Sequence, residues 1–310
     1  MKLFDLHCDT ITECSIENKK LLKNDLHISI KDAQYLSEWV QLFAIWMPDD
    51  YRGEQACQYF ENIYHTYNEQ MNKNKKLISK CTTSKEIEQA IQSGKFASIL
   101  TVEGGSAIAG DLDRIGYLHE IGVRLVTLTW NGSNEIANGC MSRDESGLTS
   151  FGKDAVRKMH DLGIIVDVSH LNDAGFYDVA KLSQDSGKPF VATHSNSDFI
   201  CAHKRNLTNE QINIIIENGG LIGINLFWQF VGADSCDFVY RHIYHMLSLG
   251  AQNTIAMGSD FDGCTTVTQL SGIDKMHILY DYLLSRNIEQ KVVDAIFFDN
   301  AYNFFINNLS

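Results

Sequence analysis

Short, almost continuously apolar runs alternate along the chain with longer stretches of helical period. The runs cover residues 2–6, 39–46, 96–102, 123–129, 163–168, 189–193, 220–224 and 254–257. Parallel strands buried on both faces read in this way. Between them, Thr83-Ser84-Lys85-Glu86 and Thr208-Asn209-Glu210-Gln211 have the form of capping boxes that open helices. Residues 154–162 and 240–249 are amphipathic and stop at Gly163 and Gly250. This alternation predicts an α/β fold, a (β/α)8 TIM barrel, as a single domain over residues 1–310. An open doubly wound sheet is the alternative. No glycine-rich dinucleotide or P-loop fingerprint follows the first run, so its nucleotide-binding form loses support.

Composition narrows the function. The net charge of -13 argues against nucleic acid and against an anionic membrane surface as partners. Eight cysteines are scattered without a C-x-x-C pair and read as reduced thiols. Two prolines leave no proline-rich linker. Charges interrupt the N-terminal residues too early for a signal peptide, and no apolar stretch reaches ~18 residues. A cytoplasmic protein is expected.

In a barrel, the residues that carry chemistry sit where the strands end. Here those ends hold His7 and Asp9, Glu103, His170, His194 and Asp260. His7 and Asp9 are two apart, so on a strand they face the same side. Imidazole and carboxylate are both zinc ligands. A carboxylate such as Glu103 has two oxygens and can bridge two ions. Asp260 could orient a water and move its proton. Each residue also has a bland reading. Asp9 could be a cap, Glu103 a charge favoured at a helix start, and the histidines hydrogen-bonded structural residues. Asp260 could be a turn residue, although Asp262-Gly263 already supplies a turn signal. It is the recurrence at strand ends that points to a two-metal hydrolase, with zinc favoured over magnesium by the imidazoles. His65, His119, His160, His242 and His245 lie in helical patterns and read as surface or packing residues. His27 and His203 lie in loops without an assigned role. Phe227, Trp228 and Phe230 follow a strand and either line a pocket or cover the barrel top.

The chain resembles the renal (membrane) dipeptidase family, zinc dipeptidases on amidohydrolase-like barrels. The resemblance runs from Phe4 to the C-terminus. It rests on Asp5-Leu6-His7-Cys8-Asp9-Thr10, Val102-Glu103-Gly104-Gly105, the segment from Arg124 to Asn131, Asp167-Val168-Ser169-His170, Thr193-His194-Ser195, Lys204-Arg205-Asn206 and Gly258-Ser259-Asp260-Phe261-Asp262-Gly263. It implies two Zn2+ ions per chain, one on His7 and Asp9, the other on His170 and His194, with Glu103 and a hydroxide bridging. Asp260 would be the acid/base, and Arg205 would pair with the carboxylate of a small dipeptide substrate. C-terminal D-residues would be accepted. Two positions depart from the membrane-type pattern: Trp130 stands for a substrate-binding histidine and Phe230 for a tyrosine. Family members are often homodimers, but no segment identifies an interface. Another amide, lactone or phosphoester hydrolase on the same barrel is the alternative, and a non-catalytic binding protein on a decayed scaffold is a third reading.

Overall fold

A computed structural model describes residues 1–309. Its strands are β1 (Lys2–Cys8), β2 (Glu38–Trp46), β3 (Ile78–Lys80), β4 (Phe96–Glu103), β5 (Val123–Thr127), β6 (Ile165–Asp167), β7 (Ile222–Ile224) and β8 (Ile255–Met257). All named pairs are parallel, in the order β6-β5-β4-β2-β1-β8-β7. The gap between β6 and β7 is filled by residues 191 and 192. Val191 bridges to Asp167 and Ala192 bridges to Ile222, closing a ring of eight positions. The ring positions are the eight apolar runs of the sequence. The run 189–193 differs from expectation in being reduced to two bridging residues. β3 differs by being present at all. It pairs only with the start of β4, from Ile78↔Phe96 to Lys80↔Ser98, and lies off the ring.

The interior of the ring is apolar at its base. Phe4, Leu6, Val40, Leu42, Ala97, Ile99, Leu125, Ile165, Val191 and Ala256 pack there, against Phe304 and Phe305 of the C-terminal helix Asn300–Asn308. A larger apolar cluster lies between the ring and its helices. β1 shows how the base gives way to a polar mouth. Phe4 and Leu6 point inward, whereas Leu3 and Cys8 belong to the outer cluster. The pairing with β2 slips between Asp5 and Cys8, a bulge that resets the alternation. His7 and Asp9, flanking Cys8, are thereby turned to the mouth.

Both expected capping boxes form, at Thr83 with Glu86 and at Thr208 with Gln211. The helices at 154–162 and 240–249 start earlier than the pattern suggested, as Ser150–Leu162 and Cys236–Ser248. The hydroxyls of Thr149 and Ser235 cap them. Among the described residues no helix is long and apolar enough to cross a membrane.

Candidate active site

The mouth of the ring gathers His7, Asp9, Glu103, His170, His194 and Asp260, all buried. Glu103 ends β4 and stands at the centre. Its Oε2 lies 3.5 Å from His7 Nε2. Its Oε1 lies 2.9 Å from His170 Nε2 and 3.4 Å from His194 Nε2. The two oxygens thus face two different groups. His7 Nε2 is also 3.4 Å from Asp9 Oδ2 and 3.9 Å from Asp260 Oδ1.

The donor set fits metal ions. His170 Nδ1 sits 3.0 Å from Asn131 Oδ1, an acceptor, so its proton belongs on Nδ1 and Nε2 carries the lone pair. The Thr193 hydroxyl donates to Asp167 Oδ2 and accepts from His194 Nδ1, at 2.6 and 2.8 Å. His194 Nε2 is therefore bare as well. These two nitrogens are 2.9 Å apart, beside Glu103 Oε1. Three acceptors converge with no donor among them, an arrangement that a cation resolves. His7 Nε2 and Asp9 Oδ1 are likewise buried without a hydrogen-bond partner. Donor atoms around a tetrahedral zinc lie about 3.3 Å apart, close to the spacings here.

Electrostatics point the same way. Burial raises the Asp9 carboxyl to about 7, with the Glu103 charge adding to it. Burial opposes charge on His7, but the Glu103 and Asp9 carboxylates outweigh it and hold its pKa well above the usual value. A cluster that draws a proton onto a buried histidine is one that would hold a cation. His170 falls to about 4, through burial first and the Arg205 charge second.

Local strain and buried hydrogen bonds aim these groups. His170 and Asp260 adopt left-handed φ angles of 69° and 60°, costly for residues other than glycine and held only by surrounding structure. Asp167 is part of that support. Its Oδ1 accepts from the Ser169 and Thr193 amides, and its Oδ2 from the Thr127 and Thr193 hydroxyls. Asn225 Nδ2 donates to Asp260 Oδ2 at 3.0 Å. Burial, aided by the Glu103 charge and opposed by His7, raises Asp260 to about 6. Gly263 closes over the cluster, where a Cβ would collide with Asp9 Oδ2 and Asp260 Oδ1. Asp262 holds its loop, accepting from the Thr10 hydroxyl and the His27 amide.

Above the cluster lies a cleft of about 520 Å³, lined by Asp9, Glu103, His170 and Asp260, by Trp46, Trp130, Phe227 and Phe230, and by Thr12, Glu13, Asp262 and Cys264 among others. His7 and His194 are more deeply buried and do not line it. Arg205 is not on the wall. It is 3% exposed, and its Nη2 donates to the His194 carbonyl at 3.0 Å. The guanidinium sits 5.3 Å from the centre of the Phe230 ring, and its Nε has no partner. Trp130 packs edge-on against Trp46, with ring centres 4.9 Å apart.

Sequence reasoning missed Asn131, Asn225, Asp167, Thr193, Trp46 and Glu13. Asn225 directly follows an apolar run and Asn131 stands two residues beyond one, as His194 and His170 do, and that position was the available signal. Trp46 ends the run 39–46 and so carried the same signal, whereas Glu13 carried none.

Residues 1–306 of the 310-residue chain match the family model for membrane dipeptidase, peptidase family M19. The chain belongs to this family. Membership makes it a metal-dependent hydrolase. An uncharacterized protein in the pqqA 5' region of Klebsiella pneumoniae is 30% identical over 233 residues, 71% of this chain and 85% of that protein. Dipeptidase AC, a metallo peptidase of family M19, has a TM-score of 0.92 at 25% identity, covering 100% of this chain and 99% of that chain. A metallo peptidase from Rhodobacter sphaeroides, liganded with a phosphinate mimic of the dipeptide L-Ala-D-Ala, has a similar fold. Its TM-score is 0.92 at 24% identity, with the same coverage.

Proposed function

We propose that this M19 protein hydrolyses the peptide bond of dipeptides, including those with a C-terminal D-residue, with two zinc ions bound at the barrel mouth. The observation that carries the reading is the division of Glu103 between His7 on one oxygen and His170 with His194 on the other. His7 and Asp9 would hold one ion, His170 and His194 the second, with Glu103 shared between them. When bound, zinc polarises a carbonyl and makes hydroxide available near neutral pH. The rest is the work of side chains. Asp260, with one oxygen held by Asn225 and the other facing the cluster, takes a proton from the attacking water. It then passes that proton to the departing amine. Arg205, behind the wall and braced against Phe230, is the cation toward which the substrate carboxylate is drawn, and its Nε has no partner within the protein. Trp130 and Phe230 shape the cleft walls against the substrate.

The test is hydrolysis of L-Ala-L-Ala and L-Ala-D-Ala, each beside its C-terminal amide, by zinc-loaded protein. Cleavage of the free dipeptides, with a sharply raised KM in Arg205→Ala for those two alone, is the expected result. Turnover of lactones, phosphoesters or simple amides without dipeptide cleavage would move the function elsewhere on the same barrel.

A further inference from the structure

The cleft contains one carboxylate that neither the metal-capable cluster nor the loop above it uses. Asp9, Glu103 and Asp260 converge at the floor, and Asp262 is occupied by Thr10 and His27. Glu13, one turn into the helix Thr10–Ile16, also lines the cleft, half-buried. The cation that acts on it, Lys19, is paired with Glu17 and Asp25. None of the residues lining the cleft is Lys or Arg. The Glu13 carboxylate therefore faces the cleft without a cationic partner among the residues that line it.

Its surroundings suit a particular kind of cation. The hydroxyl of the preceding Thr12 donates to the Ala44 carbonyl and accepts from the Trp46 amide at 3.1 Å, which pins this helix beside the end of β2. Trp46, packed on Trp130, therefore shares this side of the cleft with Glu13. A carboxylate that lines one cleft with two partly buried indoles matches an ammonium or guanidinium on a flexible apolar stem. The methylenes lie on the rings and the charge meets the carboxylate.

We infer that Glu13, with Trp46 and Trp130, forms a subsite for a cationic side chain on the N-terminal residue of the dipeptide. The assignment rests on the dipeptidase reading above. Arg205 holds the His194 carbonyl just past ring position 191–192, and β2 lies four positions round the ring of eight, opposite it, so a dipeptide whose carboxylate is drawn to Arg205 extends its amino-terminal residue toward the ends of β1 and β2. Those ends carry Glu13 and Trp46.

The experiment compares kcat/KM for Lys-Ala, norleucyl-Ala and Nε-acetyl-Lys-Ala on the zinc-loaded wild type and on Glu13→Gln and Glu13→Asp. Norleucine keeps the stem without the charge, and acetylation keeps the length without it. The wild type should prefer Lys-Ala over both by about tenfold at low salt, the scale of one charge-assisted hydrogen bond. That ratio should collapse toward one in Glu13→Gln and survive in part in Glu13→Asp. Equal rates on all three in the wild type, or a ratio unchanged in Glu13→Gln, would overturn the subsite and leave the dipeptidase reading standing. No cleavage of any of the three would overturn both.

Discussion

The two halves of the barrel are built differently. β1, β2 and β4 have seven, nine and eight residues, and they pair along long ladders. β6, β7 and β8 have three residues each, and position 191–192 has only bridges. The long half presents His7, Asp9 and Glu103 directly from strand ends. The short half presents His170, His194 and Asp260 from loops in which two of the three have left-handed backbones. Side chains do there what ladders do on the other side. Asp167 ties Thr127, Ser169 and Thr193 together, Asn196 and Asn225 exchange hydrogen bonds, and Asp5 takes the Ser259 amide. Ladders fix direction only while the chain stays extended. The short half needs its side chains turned off the strand axis, and buried polar networks fix them instead.

Breaking the short half at its reactive group should have the largest effect. Asp260→Asn should lower kcat by about 10²–10⁴-fold, the share of general acid–base catalysis, with zinc content unchanged. Near-normal turnover would remove Asp260 from the reaction. Next comes the support beneath the ligands. Asp167→Ala strips the acceptors from four donors and frees the His194 tautomer. It should weaken zinc at the His170–His194 side by about 10–100-fold, the usual cost of a lost outer-shell partner. Unchanged affinity in a zinc titration would mean that the loops hold themselves.

His242 sharpens the comparison through pH. It is fully buried, accepts from the Ser197 amide and donates to the Val231 carbonyl, at 3.1 and 3.0 Å. Burial lowers its pKa to about 4. The unfolded chain regains a value near 6.5, so between these two pH values it binds a proton that the folded protein refuses. Stability is therefore full above pH 6.5 and falls as the pH drops toward 4, by about 3 kcal/mol from this residue. Urea midpoints of His242→Gln should decline less over that window than those of the wild type. Parallel declines would rule the residue out. The smallest effect belongs to the long half: Ile45→Val in β2 should cost about 1 kcal/mol of stability and leave zinc affinity where it was. A shift in affinity there would mean that the ladder half is as delicately supported as the other.

The same contrast explains what was legible beforehand. All eight ring positions stood out as apolar runs, because burial on both faces leaves a continuous signature. β3 did not, since it is three residues long with one residue buried and follows a run rich in Lys and Asn. The site residues were found because they end those runs. Their partners were hidden, because Thr193 with Asp167 or Asn225 with Asp260 are pairs joined by the fold across 26 and 35 positions. The wall residue Glu13 looked like any polar residue on a short helix. Only the pairing of β1 with β2 and the Thr12 bonds to Ala44 and Trp46 bring its helix to the end of β2.

The central claim is a two-zinc site shared by the halves through Glu103. It is tested most directly by zinc stoichiometry, measured by elemental analysis after exhaustive dialysis, in the wild type and in His194→Ala. The account predicts two zinc ions per chain in the wild type and one in the variant, the survivor held by His7, Asp9 and Glu103. A single ion in the wild type, or two retained in His194→Ala, would contradict it.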